Sequence, residues 1–269
     1  MRKLLHLSDL HFGRVDTDLV DGLHAIAQRL QPDLIAVSGD LTQRAKVHEF
    51  AAARRFLESL RAPKVVVPGN HDVPLYNVFA RFVDPLRRYR RYIGAVIEPT
   101  FMDEEIVVVG VNTARSMTFK GGRINAQQAR IARAAFCDAG ARVRVLVTHH
   151  PFHFRAARDR DLVRRASMAL DHLKECMPDV LLAGHMHAHE IGTTAQRYDL
   201  EGKSGIVVQA GTATSTRGRG ERNSFNMLHI DAETVTVWRY DWDPALRSFV
   251  PGDPTLYRRS DATWNEVGK

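Results

Sequence analysis

Five short apolar runs, each ending in a cluster of histidine, aspartate, asparagine and glycine, constrain this chain more than any other feature. Leu4–Leu7 leads into Ser8-Asp9-Leu10-His11, and Leu34–Val37 into Ser38-Gly39-Asp40. Val65–Val67 leads into Gly69-Asn70-His71-Asp72, Val143–Val147 into Thr148-His149-His150-Pro151, and Val180–Ala183 into Gly184-His185-Met186-His187. Short apolar runs bounded by turn residues read as buried strands. Between the early runs, apolar residues recur at helical spacing: Leu19, Leu23, Ile26 and Leu30 behind the candidate caps Asp16 and Thr17, then Val47, Phe50, Leu57 and Leu60. Strands alternating with helices predict an α/β protein. In open α/β sheets, ligands bind beyond the carboxyl ends of the strands. The five clusters therefore converge on one edge.

A third helix is expected from Leu75, Phe79, Phe82, Leu86 and Ile93, with Pro85 kinking or splitting it. On a helical wheel Arg87, Arg88, Arg90 and Arg91 fall opposite Phe79, Phe82, Leu86 and Ile93, so this segment reads as an amphipathic helix with a solvated basic face. The second half carries more strand, at Ile106–Val111, Gly205–Ala210, Phe225–Ile230 and Thr234–Tyr240, and a helix marked by Leu162, Ala166, Leu170 and Leu173. Two sheets, each covered by helices on one face, follow from this order. With no repeat and no dividing linker, one domain over residues 1–240 is expected, with 241–269 as an irregular tail packed on or extending from the same domain.

The residue types at the edge say what it holds. Two aspartates, one amide and several imidazoles form a mixed nitrogen and oxygen set that suits Mn, Fe, Co, Ni or Zn better than a calcium or magnesium cage. There are too many donors for one tetrahedral ion. A carboxylate such as Asp40 can bridge two ions roughly 3.5–4 Å apart, the spacing that clamps an in-line phosphoryl displacement. Gly39 and Gly69, beside Asp40 and Asn70, permit close backbone approach or positive φ.

The net charge of +7 and pI of about 9.7 favour an anionic partner. No apolar run approaches the roughly 18–20 residues that span a bilayer. The basic opening Met1-Arg2-Lys3 is followed by an apolar stretch that stops at Asp9, too short for a secretory signal. A cytoplasmic protein with no membrane partner is the expectation. Cys137 and Cys176 form no CxxC pair, so neither a disulfide framework nor a thiolate zinc site is expected.

The succession D-x-H, GD, GNHD, HHP and GHxH, running from Asp9 to His187, resembles the calcineurin-like metallophosphoesterases. That resemblance implies a four-layer α/β/β/α sandwich of two mixed sheets with a two-metal site at the sheet edge. Carried over by position, it implies one metal held by Asp9, His11, Asp40 and His187. The other would be held by Asp40, Asn70, His149 and His185, with Asp40 shared. The cofactors implied are two divalent ions, Mn, Fe or Zn. His71 is then the catalytic residue that touches the phosphate beside Asn70 and helps the leaving oxygen depart. Asp72 stands behind it, and His150 and His153 lie outside the metal shell. Within the family the pattern most resembles bacterial class III cyclic-nucleotide phosphodiesterases, departing from it at Phe152, where relatives often carry a second proline.

Three functions follow for comparison. The first is hydrolysis of small phosphodiesters, with 3',5'-cyclic AMP foremost. The second is a metal-dependent nuclease on DNA or RNA, suggested by the charge and by Arg87-Arg88-Tyr89-Arg90-Arg91-Tyr92. The third is a scaffold of the same fold without turnover, which should have lost ligands, whereas every ligand position is filled. Gly211–Gly220 follows a late strand and carries Thr212, Thr214, Ser215, Arg217 and Arg219, residue types that bind phosphate or sugar; Arg217 and Arg219 are assigned to the substrate, and Asn223–Asn226 to anchoring the far end of that loop. The arginines from Arg155 to Arg165 are candidates for the mouth of the site. The expected partner is a small phosphodiester or nucleotide, nucleic acid being second choice; a homodimer is compatible with the reading.

Overall fold

The computed structural model describes residues 1–118, 120–155, 159–217 and 220–268. Three parallel strands, β1 (Arg2–Leu7), β2 (Leu34–Val37) and β3 (Lys64–Val66), form one end of the first sheet. Helices α1 (Thr17–Leu30) and α2 (Val47–Ser59) connect them, and Asp16 caps α1 by accepting from the Asp18 N–H. β12 (Ser224–Ile230) pairs antiparallel with the other side of β1, so β1 is interior. β13 (Thr234–Asp243), β14 (Ser248–Pro251), β15 (Thr255–Ser260) and β16 (Thr263–Glu266) complete this sheet.

In the second sheet β5 (Ile106–Gly110), β7 (Val143–Val147), β9 (Val180–Ala183) and β11 (Ile206–Gln209) are parallel, and β4 (Thr100–Met102) and β10 (Glu190–Thr193) close its edges antiparallel. Its spatial order is β10-β11-β9-β7-β5-β4. β6 (Gly122–Arg123) and β8 (Val163–Arg164) make a separate short pair.

Strand alternation sorts the side chains into layers. Leu4, Ala36, Val65, Val108, Val145 and Leu182 meet between the sheets. Leu5, Leu7, Ile35 and Val37 face α1 and α2. Val107, Val109, Leu146 and Leu181 face α5 (Ala126–Cys137) and α6 (Ala166–Leu173). The result is the four-layer α/β/β/α sandwich of two mixed sheets.

Several segments differ from the sequence reading. The expected helix over 75–93 is two short ones, α3 (Val78–Val83) and α4 (Arg87–Tyr92), separated at Pro85. Once broken, they no longer share an apolar face: Leu86 is buried, but Phe79 and Phe82 stand in solvent. The tail is not irregular. It carries the end of β13 and all of β14–β16, and Trp264 is buried with its Nε1–H donated to Asp179 Oδ1 at 3.1 Å. Strand pairing accommodates prolines here because Pro251 and Pro254 sit at strand ends or between strands.

Cys137 and Cys176 are joined by a disulfide that ties the end of α5 to the turn after α6. Their spacing of 39 residues carries no local signal; the packing of α5 on α6 brings them together. Such bonds persist in oxidising compartments and are rare in the cytosol, which stands against the cytoplasmic expectation. Among the described residues no helix is long and apolar enough to cross a membrane.

Candidate metal centre

The loops after β1, β2, β3, β7 and β9 meet at the carboxyl edge of the two sheets, and all seven expected ligand residues gather there. His11 Nε2 and His187 Nε2 lie 3.1 Å apart. Asp9 Oδ1 is 3.1 Å from His187 Nε2 and 3.6 Å from His11 Nε2, and Asp40 Oδ2 is 3.8 Å from His11 Nε2. Beside this group, Asn70 Oδ1 sits 3.1 Å from His149 Nε2 and 3.0 Å from His185 Nδ1. Asp40 turns its other oxygen this way, with Oδ1 3.4 Å from His149 Nε2. Its two oxygens thus face the two groups.

The donor atoms are prepared by their surroundings. Asp9 Oδ2 accepts from Ser8 Oγ at 2.6 Å and from the His185 N–H at 2.9 Å. Asp9 Oδ1 receives no aligned hydrogen bond among the described residues although it is buried, and His11 Nδ1 is likewise buried without a partner. A buried carboxylate oxygen with no donor is costly unless a cation takes it. His149 donates its Nδ1–H to Ser38 O at 2.7 Å, which leaves Nε2 on the ligand side. The donor set and the orphaned oxygen both fit divalent metal.

Electrostatics agree. Burial pushes Asp9 up, but His187 and His11 outweigh it and hold its carboxyl well below the usual range. Asp40 is held down in the same way, against burial, chiefly by His149. Burial pushes His149 down, and Asp40 lifts it to about 9; a proton held by a carboxylate in this manner is what an incoming cation displaces. Burial leaves His185 at about 3, so its imidazole is neutral and free to ligate.

His150 is close enough to His149 and His185 for the three to form a ligating group. Both its nitrogens are spent, however: Nε2–H donates to Lys120 O at 2.9 Å and Nδ1 accepts from Thr113 Oγ1 at 2.8 Å. Asp72 joins two of the loops, accepting from the N–H groups of Leu41, Thr42 and Gly69 and from Thr42 Oγ1. Burial and nearby Asp40 raise it to about 7.

Five of the seven residues, Asp9, His11, Asp40, His185 and His187, have positive φ without being glycine. Each costs on the order of 1–3 kcal/mol, and such residues persist only where the surroundings over-determine them. Gly39, at φ +92°, turns the chain into Asp40. Gly69 has an ordinary φ and is required by proximity: a Cβ there would lie 2.2 Å from Asp40 Oδ1 and 2.3 Å from Asp40 N. Gly69→Ala is expected to lower the denaturation midpoint by the equivalent of about 1–3 kcal/mol, with metal lost alongside; an unchanged midpoint would show that the loops have room to spare.

The loop after β11 acts differently from its reading. Thr212 Oγ1 donates to Asp9 O and Thr214 Oγ1 to Leu10 O, both at 2.7 Å. These hydroxyls brace the strained Asp9–His11 turn instead of waiting for substrate. Nothing in a Thr-rich, Gly-rich loop signals that, because the acceptors are backbone carbonyls about 200 residues away. Asn223 does anchor the loop, donating Nδ2–H to Ser215 O at 2.8 Å. Arg217 reaches the site, its Nη1 3.0 Å from His71 Nε2. Arg219 and Arg158 lie outside the described residues. Arg155 meets Glu190 through its backbone N–H.

His71 is fixed by two contacts. Gln43 O can only accept, so His71 Nδ1 carries the proton at 2.9 Å; Arg217 can only donate, so Nε2 accepts. Burial lowers its pKa further, keeping the ring neutral.

A four-layer sandwich whose strand ends bring carboxylate, amide and imidazole donors together defines the class of fold to which this chain belongs. Residues 2–189 match the family described as Calcineurin-like phosphoesterase, and the chain belongs to that family. A stretch of 82 residues is 37% identical to glycerophosphodiester phosphodiesterase GpdQ of Enterobacter lignolyticus (strain SCF1), covering 26% of this chain and only 29% of that relative. Among solved structures, purple acid phosphatase PPD1 from yellow lupin (Lupinus luteus) seeds matches with a TM-score of 0.70 at 12% identity, over 97% of this chain and 54% of the phosphatase. TT1561 of Thermus thermophilus matches with a TM-score of 0.53 at 16% identity, over 94% of this chain and 98% of its own. At these identities the structures share the fold.

Proposed function

We propose that the protein is a dinuclear-metal phosphodiesterase acting on small diesters, with 3',5'-cyclic AMP as its first substrate. The observation that carries this reading is Asp40, whose two oxygens face two separate groups of donors. Asp9, His11, Asp40 and His187 would hold one divalent ion and Asp40, Asn70, His149 and His185 the other. Ions of the Mn, Fe or Zn type supply charge neutralisation at the phosphoryl oxygens and an acidified water. The remaining work falls to the chain. Asn70 and Arg217 bring an amide and a guanidinium to the phosphate, and Arg219 lies two residues beyond. When Arg217 turns from His71 to the phosphate, His71 Nε2 is released to take up a proton from solvent and pass it to the departing oxygen. Its ring stays oriented by Gln43.

Glycerophosphodiesters are the second candidate, favoured by the name of the GpdQ relative. Nucleic acid ranks below both. Tyr89, central to the Arg/Tyr run, is buried with its hydroxyl donated to Val66 O, and so offers no stacking surface for a base.

Turnover with Mn²⁺ of cyclic AMP, a glycerophosphodiester and a single-stranded oligonucleotide tests this, each from low to moderate salt. Cyclic AMP hydrolysis with a shallow salt dependence is expected. A polymer substrate loses about 0.7 log unit of binding per log unit of salt for each phosphate contact on a single strand. Fast oligonucleotide cleavage, steep in salt, with no small-diester turnover would overturn the reading.

A further inference from the structure

α3 is built inside out. Arg81 is 3% exposed and donates to Pro74 O, Ser116 O and Thr118 O, at 3.0, 2.7 and 2.8 Å. The bonds to Ser116 and Thr118 fasten the helix to the loop after β5 through its one cation. Its apolar residues face the other way: Val78, Phe79, Phe82 and Val83 are 64%, 77%, 54% and 66% exposed, and Tyr76 and Met117 beside them 77% and 78%. Isolated apolar residues on a surface need no explanation, but a contiguous group on one short helix and the loop bonded to it marks an interaction site.

Charge around the patch selects the partner. Between Val73 and Tyr92 the chain has five arginines and one acid, Asp84. Asp84 is taken by Arg90. The Arg44 guanidinium lies over the Tyr76 ring, Arg88 reaches Ala45 O, and Arg87, Arg91 and Lys46 are exposed. A second copy docked by two-fold symmetry would press this cationic border against itself. An anionic bilayer accepts both parts: aromatic and aliphatic side chains enter the boundary beneath the headgroups, and arginines and lysines stay at the phosphates.

We propose that the rim formed by α3 and the 111–118 loop docks the protein peripherally on an anionic lipid surface. No spanning segment is needed, so the absence of an apolar run long enough to cross a bilayer does not bear on it. Exposed Tyr76 follows closely on Asp72 in the chain, so docking brings the metal-binding edge to the headgroups.

Flotation of the full chain with vesicles tests this, using phosphatidylcholine alone and phosphatidylcholine with roughly a third phosphatidylglycerol. The protein is expected to float with the mixed vesicles and to stay behind with the neutral ones. Phe79→Ser with Phe82→Ser should abolish flotation, with metal content and melting temperature unchanged because both side chains stand in solvent. Arg87→Gln with Arg91→Gln should weaken vesicle binding about tenfold or more, as should added salt. No flotation on mixed vesicles, or flotation that survives the phenylalanine pair, would overturn the proposal. So would a wild-type dimer that the phenylalanine pair converts to monomer, which would make a second copy the occupant.

Discussion

Asp40→Ala is expected to empty both metal positions at once and to abolish turnover, while Asn70→Ala keeps one position filled. The difference follows from reach. Asp40 Oδ2 approaches His11 Nε2 on one side, and Oδ1 approaches His149 Nε2 on the other. Asn70 Oδ1 meets only His149 and His185. Losing the shared carboxylate also removes one of two negative charges that would offset two divalent cations, so each remaining ion is held by less charge. Elemental analysis of purified variants reads the outcome as metals per chain: two in the wild type, none in Asp40→Ala, about one in Asn70→Ala. Asp40 Oδ1 also accepts the His71 N–H at 2.8 Å, so a thermal melt accompanies the metal count to show that the loop survives. Two metals retained in Asp40→Ala would rule out a shared ligand.

His71→Ala is expected to keep both metals and lose roughly 10²–10⁴ in kcat, the size of a positioned proton donor or acceptor. The deficit should shrink for nitrophenyl esters, whose leaving group departs with little protonation. An equal deficit for good and poor leaving groups would make His71 a support for Arg217 instead of a proton carrier. A second variant sharpens the distinction. Arg217 donates to His71 Nε2, the nitrogen that must bear the transferred proton. Arg217→Gln should therefore act in two ways, raising KM through the lost phosphate contact and raising the pKa of His71 by removing a neighbouring cation. The expected sign is an upward move of the inflection at which the rate falls with rising pH, because protonated His71 persists to higher pH.

The parts of this structure legible in the sequence are those with a local cause. A strand such as Leu34–Val37 shows because four apolar residues end in Ser-Gly, and α1 because its apolar period follows an aspartate cap. The convergence of Asp9, Asp40, Asn70, His149, His185 and His187 is legible because each follows such a strand. The features that escape a sequence reading depend on distant partners or weak periods. α5 hides because its buried face includes Ala129, Ala132 and Phe136, mostly small residues with little hydropathy contrast; its Asn125 and Gln128 capping box is the available signal. A helical wheel that assumes one continuous helix through Pro85 places Phe79 and Phe82 inside, where the broken helices leave them out. Nothing local marks Arg81 for burial, because two of the three carbonyls that receive it lie more than 30 residues away. The disulfide and the Thr212 and Thr214 braces join segments that only the finished fold brings together.

β1 supplies Asp9 and His11 and is the first strand made, yet it is interior to its sheet. Its antiparallel neighbour β12 is encoded near the other end of the chain, as are the threonines that hold the turn behind Asp9. During synthesis Asp9 and His11 therefore leave the ribosome long before anything can hold them in their left-handed turns. Contacts so far apart in sequence form late. A nascent chain stalled short of residue 212 would therefore carry all seven donor residues, Asp9 to His187, without the threonines that brace the Asp9 turn.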